Sequence, residues 1–233
     1  MATLRRLGLL KTSLIDYPGE VAAVVFTAGC NLRCPYCHNP RLVTGPPPAE
    51  FLPRDEVLGV IAARAGVLTG VCVTGGEPLV HERLPELLAS IRDTGLKVKL
   101  DTNGMLPHRL EAVSVDFVAL DLKLAPERYG ELGGPPDAPA RLAAAVDVVR
   151  RTAPAYEFRT TVVPGLVGPR DVEAIASLLG VGARLTLAAF RPGATLDPRL
   201  ASTPSPDDEL TARCVEAGAR RGVVCRVREA TTM

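Results

Sequence analysis

The chain has 233 residues, 47% of them hydrophobic, and a formal net charge of +1 at pH 7. A near-neutral chain without tryptophan, with four tyrosines and five phenylalanines, offers no large basic or stacking surface for nucleic acid. No run approaches the roughly 20 apolar residues that cross a membrane, and the amino-terminal segment lacks the apolar core of a signal peptide. We therefore expect a cytoplasmic protein with neither a nucleic-acid nor a membrane partner.

Strand-like apolar runs alternate with helical patterns along the chain. The predicted strands are Val21–Thr27, Gly70–Thr74, Lys97–Asp101, Phe117–Leu122, Tyr156–Val163, Arg184–Phe190 and Val223–Arg228. The predicted helices are Arg54–Ala65, Glu82–Asp93, Pro107–Ala112, Ala138–Arg151, Arg170–Leu179 and Asp207–Arg220. This order gives a series of βα units and predicts a parallel sheet with right-handed crossovers. Periodicity alone leaves two closures open, a doubly wound open sheet or a whole or partial barrel.

A further strand, Leu7–Leu14, precedes the first βα unit and can pair with Val21–Thr27 as a hairpin. The turn between them contains Tyr17-Pro18-Gly19, in which proline fixes φ and glycine accepts a positive φ. The alternation continues across the Pro/Gly-rich stretches Thr44–Pro53 and Gly130–Pro139, so neither is read as a domain boundary. The sequence therefore predicts one domain over residues 1–233, with a core at about 20–193 and a carboxyl-terminal helix and strand at 204–230.

Three of the six cysteines, Cys30, Cys34 and Cys37, are close together in the pattern C-x3-C-x2-C. Cytosolic thiols stay reduced, so this spacing indicates ligands for a metal or an iron–sulfur cluster. Four-iron clusters normally take four cysteines, and three would leave one iron free to bind a substrate. The alternative is a zinc ion that also uses His38, although adjacent Cys37 and His38 are hard to direct at one tetrahedral ion. The scattered thiols, expected to be small buried hydrophobes, are Cys72, Cys214 and Cys225.

Polar or glycine-rich segments follow each of the first six predicted strands of the parallel sheet. After the cysteine segment they are Thr74–Pro78 (TGGEP), Asp101–Gly104 (DTNG), Asp121–Lys123 (DLK), Arg159–Gly165 (RTTVVPG) and Phe190–Gly193 (FRPG). Each one alone has an ordinary interpretation as a turn, a helix cap or a solvated charge. Together they point to one site, because ligands of parallel α/β folds lie at the carboxyl ends of the strands. A barrel would bring these segments together better than an open sheet.

The order of these motifs resembles the radical S-adenosylmethionine superfamily. More specifically, KTSLIDYPG, FTAGCNLRCPYCHNP, TGGEP, LDTNG and LDLK resemble the activating proteins of anaerobic ribonucleoside-triphosphate reductases, which are glycyl radical enzyme activases. The resemblance spans about Leu7 to Gly193 and is most specific in the first forty residues. It implies an α/β fold in the form of a partial (β/α)6 barrel with an amino-terminal hairpin.

The resemblance also implies a reaction. S-adenosylmethionine would chelate the open iron of one [4Fe–4S] cluster through its amino and carboxylate groups. An electron from the reduced cluster would break the C–S bond and give methionine and a 5′-deoxyadenosyl radical. That radical would take a hydrogen atom from a glycine Cα of the partner, an anaerobic ribonucleotide reductase. The implied electron donor is a flavodoxin or a ferredoxin-type protein.

The resemblance assigns roles to individual residues. Cys30, Cys34 and Cys37 would ligate the cluster. The expected cofactor-binding residues are Tyr36 against the adenine, His38, the ammonium-binding loop Gly75, Gly76 and Glu77, then Asp101, Thr102, Asp121 and Lys123. In some activases the counterparts of Asp101, Thr102 and Asp121 hold a monovalent cation. Arg159 would either face the same carboxylate or point outward. Small residues before FRPG, Leu187 to Ala189, depart from the expected pattern and leave a sixth-strand contact open.

Two other functions compete with the activase. The first is a radical enzyme acting on a small molecule, such as a 7-carboxy-7-deazaguanine synthase, which shares the cysteine motif. The KTSLIDYPG segment and a cluster segment without a long insertion favour the activase. The second is a zinc-binding adaptor without catalytic activity. Several further motifs at the strand ends argue against that alternative.

Overall fold

The computed structural model describes residues 4–228 and arranges nine strands in one sheet, in the order β3-β1-β2-β4-β5-β6-β7-β8-β9. The strands are β1 (Arg6–Ser13), β2 (Ala22–Thr27), β3 (Leu52–Pro53), β4 (Gly70–Gly75), β5 (Lys97–Thr102), β6 (Phe117–Asp121), β7 (Ala155–Val162), β8 (Arg184–Ala189) and β9 (Val224–Arg228). From β2 through β4 to β9, neighbouring strands pair in parallel. Within residues 4–228 the sheet ends at β3 and β9, so it forms an open, partial barrel.

Helices connect the parallel strands. They are α1 (Pro40–Val43), α2 (Arg54–Ala63), α3 (Leu84–Arg92), α4 (Pro107–Glu111), α5 (Ala138–Thr152), α6 (Pro169–Leu179) and α7 (Asp208–Ala219). Short 3-10 turns cover Pro78–Val80, Pro126–Leu132 and Pro198–Leu200. The predicted partial barrel with an amino-terminal hairpin is confirmed. The sequence analysis missed β3, α1 and the 3-10 turns, because elements of a few residues are too short to show a periodicity.

The amino-terminal hairpin extends the sheet, and its turn packs against the amino-terminal ends of the parallel strands. β1 pairs with β2 antiparallel, with Gly8 opposite Phe26. In the turn that follows β1, the Tyr17 side chain is buried, and its ring centroid lies 5.8 Å from that of Phe117 on β6. A Cβ on Gly70 would collide with the Tyr17 ring, so glycine at the start of β4 gives the tyrosine its room. The Tyr-Pro-Gly turn therefore places the Tyr17 ring at the amino-terminal end of the parallel strands.

The two faces of the sheet differ in polarity. Alternate residues of a strand point to opposite faces. On β5, Val98 and Leu100 are fully buried among apolar side chains, whereas Lys99 and Asp101 form an ion pair with each other on the opposite face. The apolar face packs under the helices, and the other face lines a charged barrel interior. This division concentrates charged side chains at the centre of the fold.

The last βα unit extends the sheet beyond the region of the sequence resemblance. α7 packs on α6, and β9 pairs with β8. The predicted extension at 204–230, and the predicted single domain over 1–233, stay predictions, and residues 1–3 and 229–233 lie outside the described part of the chain. No helix within residues 4–228 is both long and apolar enough to cross a membrane.

Candidate active site at the carboxyl ends of the strands

A cavity of about 260 Å³ lies at the carboxyl ends of the parallel strands. Every site residue predicted from the sequence lines it: Cys30, Cys34, Tyr36, Cys37, His38, Gly75, Gly76, Glu77, Asp101, Thr102, Asp121 and Lys123. Arg159 and Thr161 of β7 also line it, together with Asn103. A larger cavity, about 790 Å³, lies beside α2 and α3 and includes none of these residues. We therefore take the smaller cavity as the candidate site.

The cluster loop, residues 28–39, is held by hydrogen bonds from several segments. The Gly29 N–H donates to the Leu42 carbonyl (2.7 Å), and the Arg33 N–H donates to the Leu132 carbonyl (2.7 Å). Within the loop, the Cys37 N–H donates to the Cys34 carbonyl (3.0 Å), which forms the turn between the last two thiols. Gly29 has a φ of 95°, a left-handed conformation that glycine adopts without strain. The loop is thus shaped by protein contacts.

The three thiols suit a cluster with several irons. Burial raises the pKa of Cys34 to about 12 and also raises the pKa of Cys30, so without a cation both thiols keep their protons. A bound metal ion deprotonates such thiols. The Cys30 sulfur accepts hydrogen bonds from the Leu32 N–H (3.5 Å) and the Asn103 amide (3.9 Å), the kind of contact that tunes cluster sulfurs.

The donor set fits a cluster for a further reason. The three thiols line one cavity, yet in residues 4–228 no group of three His, Cys, Asp or Glu side chains is gathered closely enough to hold a metal ion. In a four-iron cluster each thiolate binds a different iron, so the ligands surround a volume instead of meeting at one point. The cysteines present are therefore suited to hold the group that the motif implies.

The GGEP loop, residues 75–78, lies directly against the cluster loop. The Gly76 N–H donates to the Thr27 carbonyl (2.8 Å), and the Glu77 N–H donates to the Gly29 carbonyl (2.9 Å). A Cβ on Gly75 would come closer than 3.0 Å to the backbone of Thr27, and one on Gly76 would do the same at Gly29. Both glycines are therefore needed for the close approach of two backbones, and they line the cavity without a side chain.

The Glu77 side chain is committed to a neighbouring loop. It is 1% exposed and accepts hydrogen bonds from the Thr102 hydroxyl (2.8 Å), the Asn103 N–H (2.7 Å) and the Leu79 N–H (3.1 Å). Burial raises the pKa of Glu77 to about 7, although these three donors favour the charged form. The carboxylate thus joins the loops that follow β4 and β5.

A network of ion pairs, which we call the strand-end network, forms the floor of the cavity. Arg159 lies between two aspartates, with Nη2 3.1 Å from Asp101 Oδ2 and Nε 2.7 Å from Asp121 Oδ1. Lys123 pairs with Asp121 at 2.9 Å, and Lys99 pairs with Asp101. Burial opposes the charged forms, but Arg159 and the two lysines outweigh it and hold the pKa of each aspartate below its usual value. Of the two orientations left open for Arg159, the inward one is observed.

Tyr36 and His38 connect the cluster loop to other segments. The Tyr36 hydroxyl donates to the Lys123 carbonyl (2.9 Å), so its ring is fixed beside the cavity. His38 stacks on Phe190 with ring centroids 5.1 Å apart, and its Nε2 lies 2.8 Å from the Arg191 carbonyl, to which it must donate. His38 lines the cavity with one nitrogen already engaged.

Residues 190–197 form a strap over the cluster loop. The Leu196 N–H donates to the Cys37 carbonyl (3.0 Å), and the Asp197 N–H donates to the Pro35 carbonyl (2.8 Å). The preceding residues of β8 do not line the cavity, whereas Thr161 of β7 does. The segment after β8, the sixth parallel strand, therefore supports the cluster loop.

The structure adds site residues that the sequence analysis did not single out. Asn103 donates from its side chain to Asn31 Oδ1 (2.8 Å) and toward the Cys30 sulfur. The Tyr129 hydroxyl accepts from the Lys123 N–H (2.8 Å), and Lys99 is buried beneath Asp101. Asn103 lies within the DTNG motif, Asp101–Gly104, so its place after a predicted strand already indicated a position at the site. Tyr129 lies in an irregular segment where no periodicity could reveal it.

Comparisons with known proteins place the chain in a family. The profile of the Radical SAM superfamily matches residues 24–179, more than half of the chain. A proposed glycyl-radical enzyme activating enzyme of Methanocaldococcus jannaschii is 28% identical over 210 residues, covering 86% of each chain. A 7-carboxy-7-deazaguanine synthase of Methanopyrus kandleri is 36% identical over 129 residues, covering 46% of this chain and 51% of that protein.

A solved structure shares the fold. The radical SAM methyltransferase from Sphaerobacter thermophilus aligns with a TM-score of 0.65 and covers 93% of this chain and 68% of its own. The two sequences are 19% identical over the alignment, so this likeness speaks for the fold and not for the reaction.

Proposed function

Since the chain belongs to the Radical SAM superfamily, we propose that it is a glycyl radical enzyme activase whose partner is an anaerobic ribonucleoside-triphosphate reductase. Membership makes it a radical SAM enzyme and implies a [4Fe–4S] cluster and S-adenosylmethionine. The observation that carries the activase is the similarity to the Methanocaldococcus jannaschii protein, which covers 86% of both chains. The KTSLIDYPG segment supports the choice of ribonucleotide reductase as the partner.

In this proposal the chain's own residues bind and orient the two groups. Cys30, Cys34 and Cys37 would hold the cluster, which would supply the electron for reductive cleavage of S-adenosylmethionine. Lys123 and Arg159 place positive charge where the cofactor carboxylate is expected, and Tyr36 offers a fixed ring for the adenine. Glu77 does not touch the cofactor through its carboxylate but keeps the GGEP backbone in place.

Two further parts of the proposal follow from the resemblance alone. The first is a flavodoxin or ferredoxin-type electron donor, and the expected cytoplasmic location without a nucleic-acid or membrane partner comes instead from composition and hydropathy. The monovalent cation at Asp101, Thr102 and Asp121 is likewise implied only by the resemblance.

The proposal is tested by radical transfer to the partner. Reconstituted enzyme, a chemical reductant, S-adenosylmethionine and an anaerobic ribonucleotide reductase are mixed without oxygen. We expect a glycyl radical signal in electron paramagnetic resonance and transfer of deuterium from the labelled glycine Cα to 5′-deoxyadenosine. The Cys34→Ala variant should give neither result, and Cys214→Ala should give both.

A different outcome would favour the small-molecule alternative. The similarity to the Methanopyrus kandleri synthase supports a comparison with small-molecule substrates, for which we choose a small pterin and a nucleoside. Deuterium transfer from either labelled compound, with no protein radical on any glycyl radical enzyme of the host, would contradict the activase. The cluster assignment would survive that result, because it depends on the cysteine loop.

A further inference from the structure

Both aspartates of the strand-end network already have protein cations on both carboxylate oxygens. Asp101 Oδ1 pairs with Lys99, and Asp101 Oδ2 pairs with Arg159 at 3.1 Å. Asp121 Oδ1 accepts from Arg159 at 2.7 Å, and Asp121 Oδ2 accepts from Lys123 at 2.9 Å. A free cation at any of these oxygens would lie close to an ammonium or a guanidinium group that already neutralises the carboxylate, and the like charges would repel each other.

The third residue of the expected cation site is engaged as well. The Thr102 hydroxyl donates to Glu77 Oε1 (2.8 Å) and accepts from the Gly104 N–H (3.2 Å). Of the two lone pairs on this hydroxyl oxygen, one is already used for Gly104 and one remains. Because Lys99, Arg159 and Lys123 already neutralise its two carboxylates, the donor set that the resemblance suggested does not fit a free monovalent cation in this chain.

Lys99 is the unusual member of the network. It lies two residues before Asp101 on β5, so both side chains point into the barrel. Its side chain is 1% exposed, and the ammonium lies 3.7 Å from the Cys72 sulfur and 5.9 Å from the centroid of the Phe117 ring. A buried ammonium requires a partner of opposite charge, which here is Asp101. The lysine side chain is therefore a built-in partner of Asp101 inside the barrel.

We propose that Lys99, together with Arg159, supplies the positive charge at Asp101 that the resemblance assigns to a free monovalent cation, so that S-adenosylmethionine binds here without Na⁺ or K⁺. This inference rests on the proposal that S-adenosylmethionine occupies this cavity, and it is independent of the partner enzyme. Lys99 acts through Asp101 and Arg159 and is a positioning residue.

The test is equilibrium binding of radiolabelled S-adenosylmethionine to the reconstituted enzyme. Dissociation constants are compared in potassium, sodium and choline chloride at equal ionic strength. For the wild type we expect the three values to agree within about twofold, because fixed protein charges do not exchange with the buffer. Thallium(I), a probe for potassium sites, should show no saturable binding. A wild-type affinity that falls more than about fivefold in choline would overturn the inference, as would one bound thallium per chain.

The variant Lys99→Met isolates the role of the lysine. Loss of the ammonium frees Asp101 Oδ1, and we expect binding to weaken about tenfold in choline and to recover in potassium or sodium. Lys97→Met is the matched control, since Lys97 is on the same strand but is 60% exposed and pairs with Glu20 at 2.6 Å. It should bind like the wild type in every salt.

The remaining outcomes also decide the question. Binding by Lys99→Met that equals the wild type in all three salts would overturn the assignment of Lys99. If that variant loses its iron, the wild-type salt comparison and the thallium measurement still decide whether binding of S-adenosylmethionine needs a free monovalent cation. Absence of S-adenosylmethionine binding in every salt, with the cluster intact, would instead overturn the proposed function and this inference with it.

Discussion

At the scale of single residues, the surroundings of a cysteine decide its role. Cys30, Cys34 and Cys37 face one cavity, whereas Cys72 and Cys214 are fully buried away from it and Cys225 is half-buried. The Cys225 sulfur fills the space beside Gly218 of α7, where a Cβ would collide with it. The positions of Cys214 and Cys225 agree with the expectation of small apolar side chains, whereas the Cys72 sulfur lies 3.7 Å from the Lys99 ammonium.

The ligand assignment predicts different iron contents for single substitutions. After anaerobic reconstitution the wild type should hold about four irons per chain, and Cys34→Ala should lose most of them because one of three ligands is gone. His38→Ala should keep the full iron content, since the His38 Nε2 is engaged by the Arg191 carbonyl. Iron and sulfide analysis measures both. A chain that binds one zinc, and loses it in His38→Ala, would support the zinc alternative instead.

Glu77 gives the metal-free chain a pH-dependent stability. Burial raises its pKa from 4.5 to about 7, so the folded state holds the proton more tightly than the unfolded state. The contribution of Glu77 is therefore complete below about pH 4.5 and is lost as the pH rises to about 7, a decline of up to about 3 kcal/mol.

The variant Glu77→Gln removes this titration. We expect the difference in unfolding free energy between wild type and variant to fall as the pH rises from about 5 to 7. Urea unfolding of both metal-free proteins without oxygen measures it, and other titrating groups cancel in the difference. A difference that rises with pH would show that the hydrogen bonds to Glu77 outweigh its burial.

Sequence reasoning found which residues meet at the site but not what each one contacts. Glu77 was expected to belong to a loop that binds the cofactor ammonium, yet its carboxylate joins two loops. Arg159 could not be placed, because a charge on a strand faces the solvent or the barrel interior depending on the closure of the sheet. Lys99 escaped notice since a lysine in a predicted strand carries no sign of burial.

At the scale of elements, two backbone segments approach each other so closely that only glycine fits between them. In Gly76→Ala the new Cβ would overlap the Gly29 backbone, which cannot move without displacing the cluster loop. We expect the variant to be destabilised by roughly 1–3 kcal/mol and to hold less iron. Gly59→Ala in α2 is the matched control, because open space surrounds its Cβ.

The control should behave in the opposite way. Alanine in a helix interior is favoured over glycine by about 0.5–1 kcal/mol, so Gly59→Ala should unfold at slightly higher urea and keep its iron. Urea unfolding and iron analysis on both variants complete the comparison. Equal iron content in Gly76→Ala and wild type would show that the GGEP loop does not fix the position of the cluster loop.

The strap, residues 190–197, has a role that the sequence pattern did not predict. The small residues before FRPG left open a contact of the sixth strand with the cofactor. In the structure the segment after β8 instead donates two backbone hydrogen bonds to the cluster loop. Backbone contacts of irregular segments leave no side-chain pattern, so such a role could not be predicted.

At the scale of the whole molecule, the order of strands and helices was predictable because each is long enough to show its period. The predicted bounds of β4, β5 and β6 lie within one residue of those observed. The choice of a partial barrel required the motifs, since periodicity is the same in an open sheet. The short β3, which pairs Leu52 with Leu7 of β1, depends on a contact distant in sequence and could not be predicted.

The many anchors of the cluster loop bear on how the enzyme matures. The carbonyls of Leu42 and Leu132 accept hydrogen bonds from the cluster loop, and N–H groups of the strap and of the GGEP loop donate to it. None of these bonds involves iron. In a zinc finger the metal drives folding, so the apoprotein is disordered. Here the folded apoprotein would present an already shaped pocket to the protein that delivers the cluster. Loss of the cluster to oxygen would then leave a folded protein that can be repaired by reloading, without a new round of synthesis.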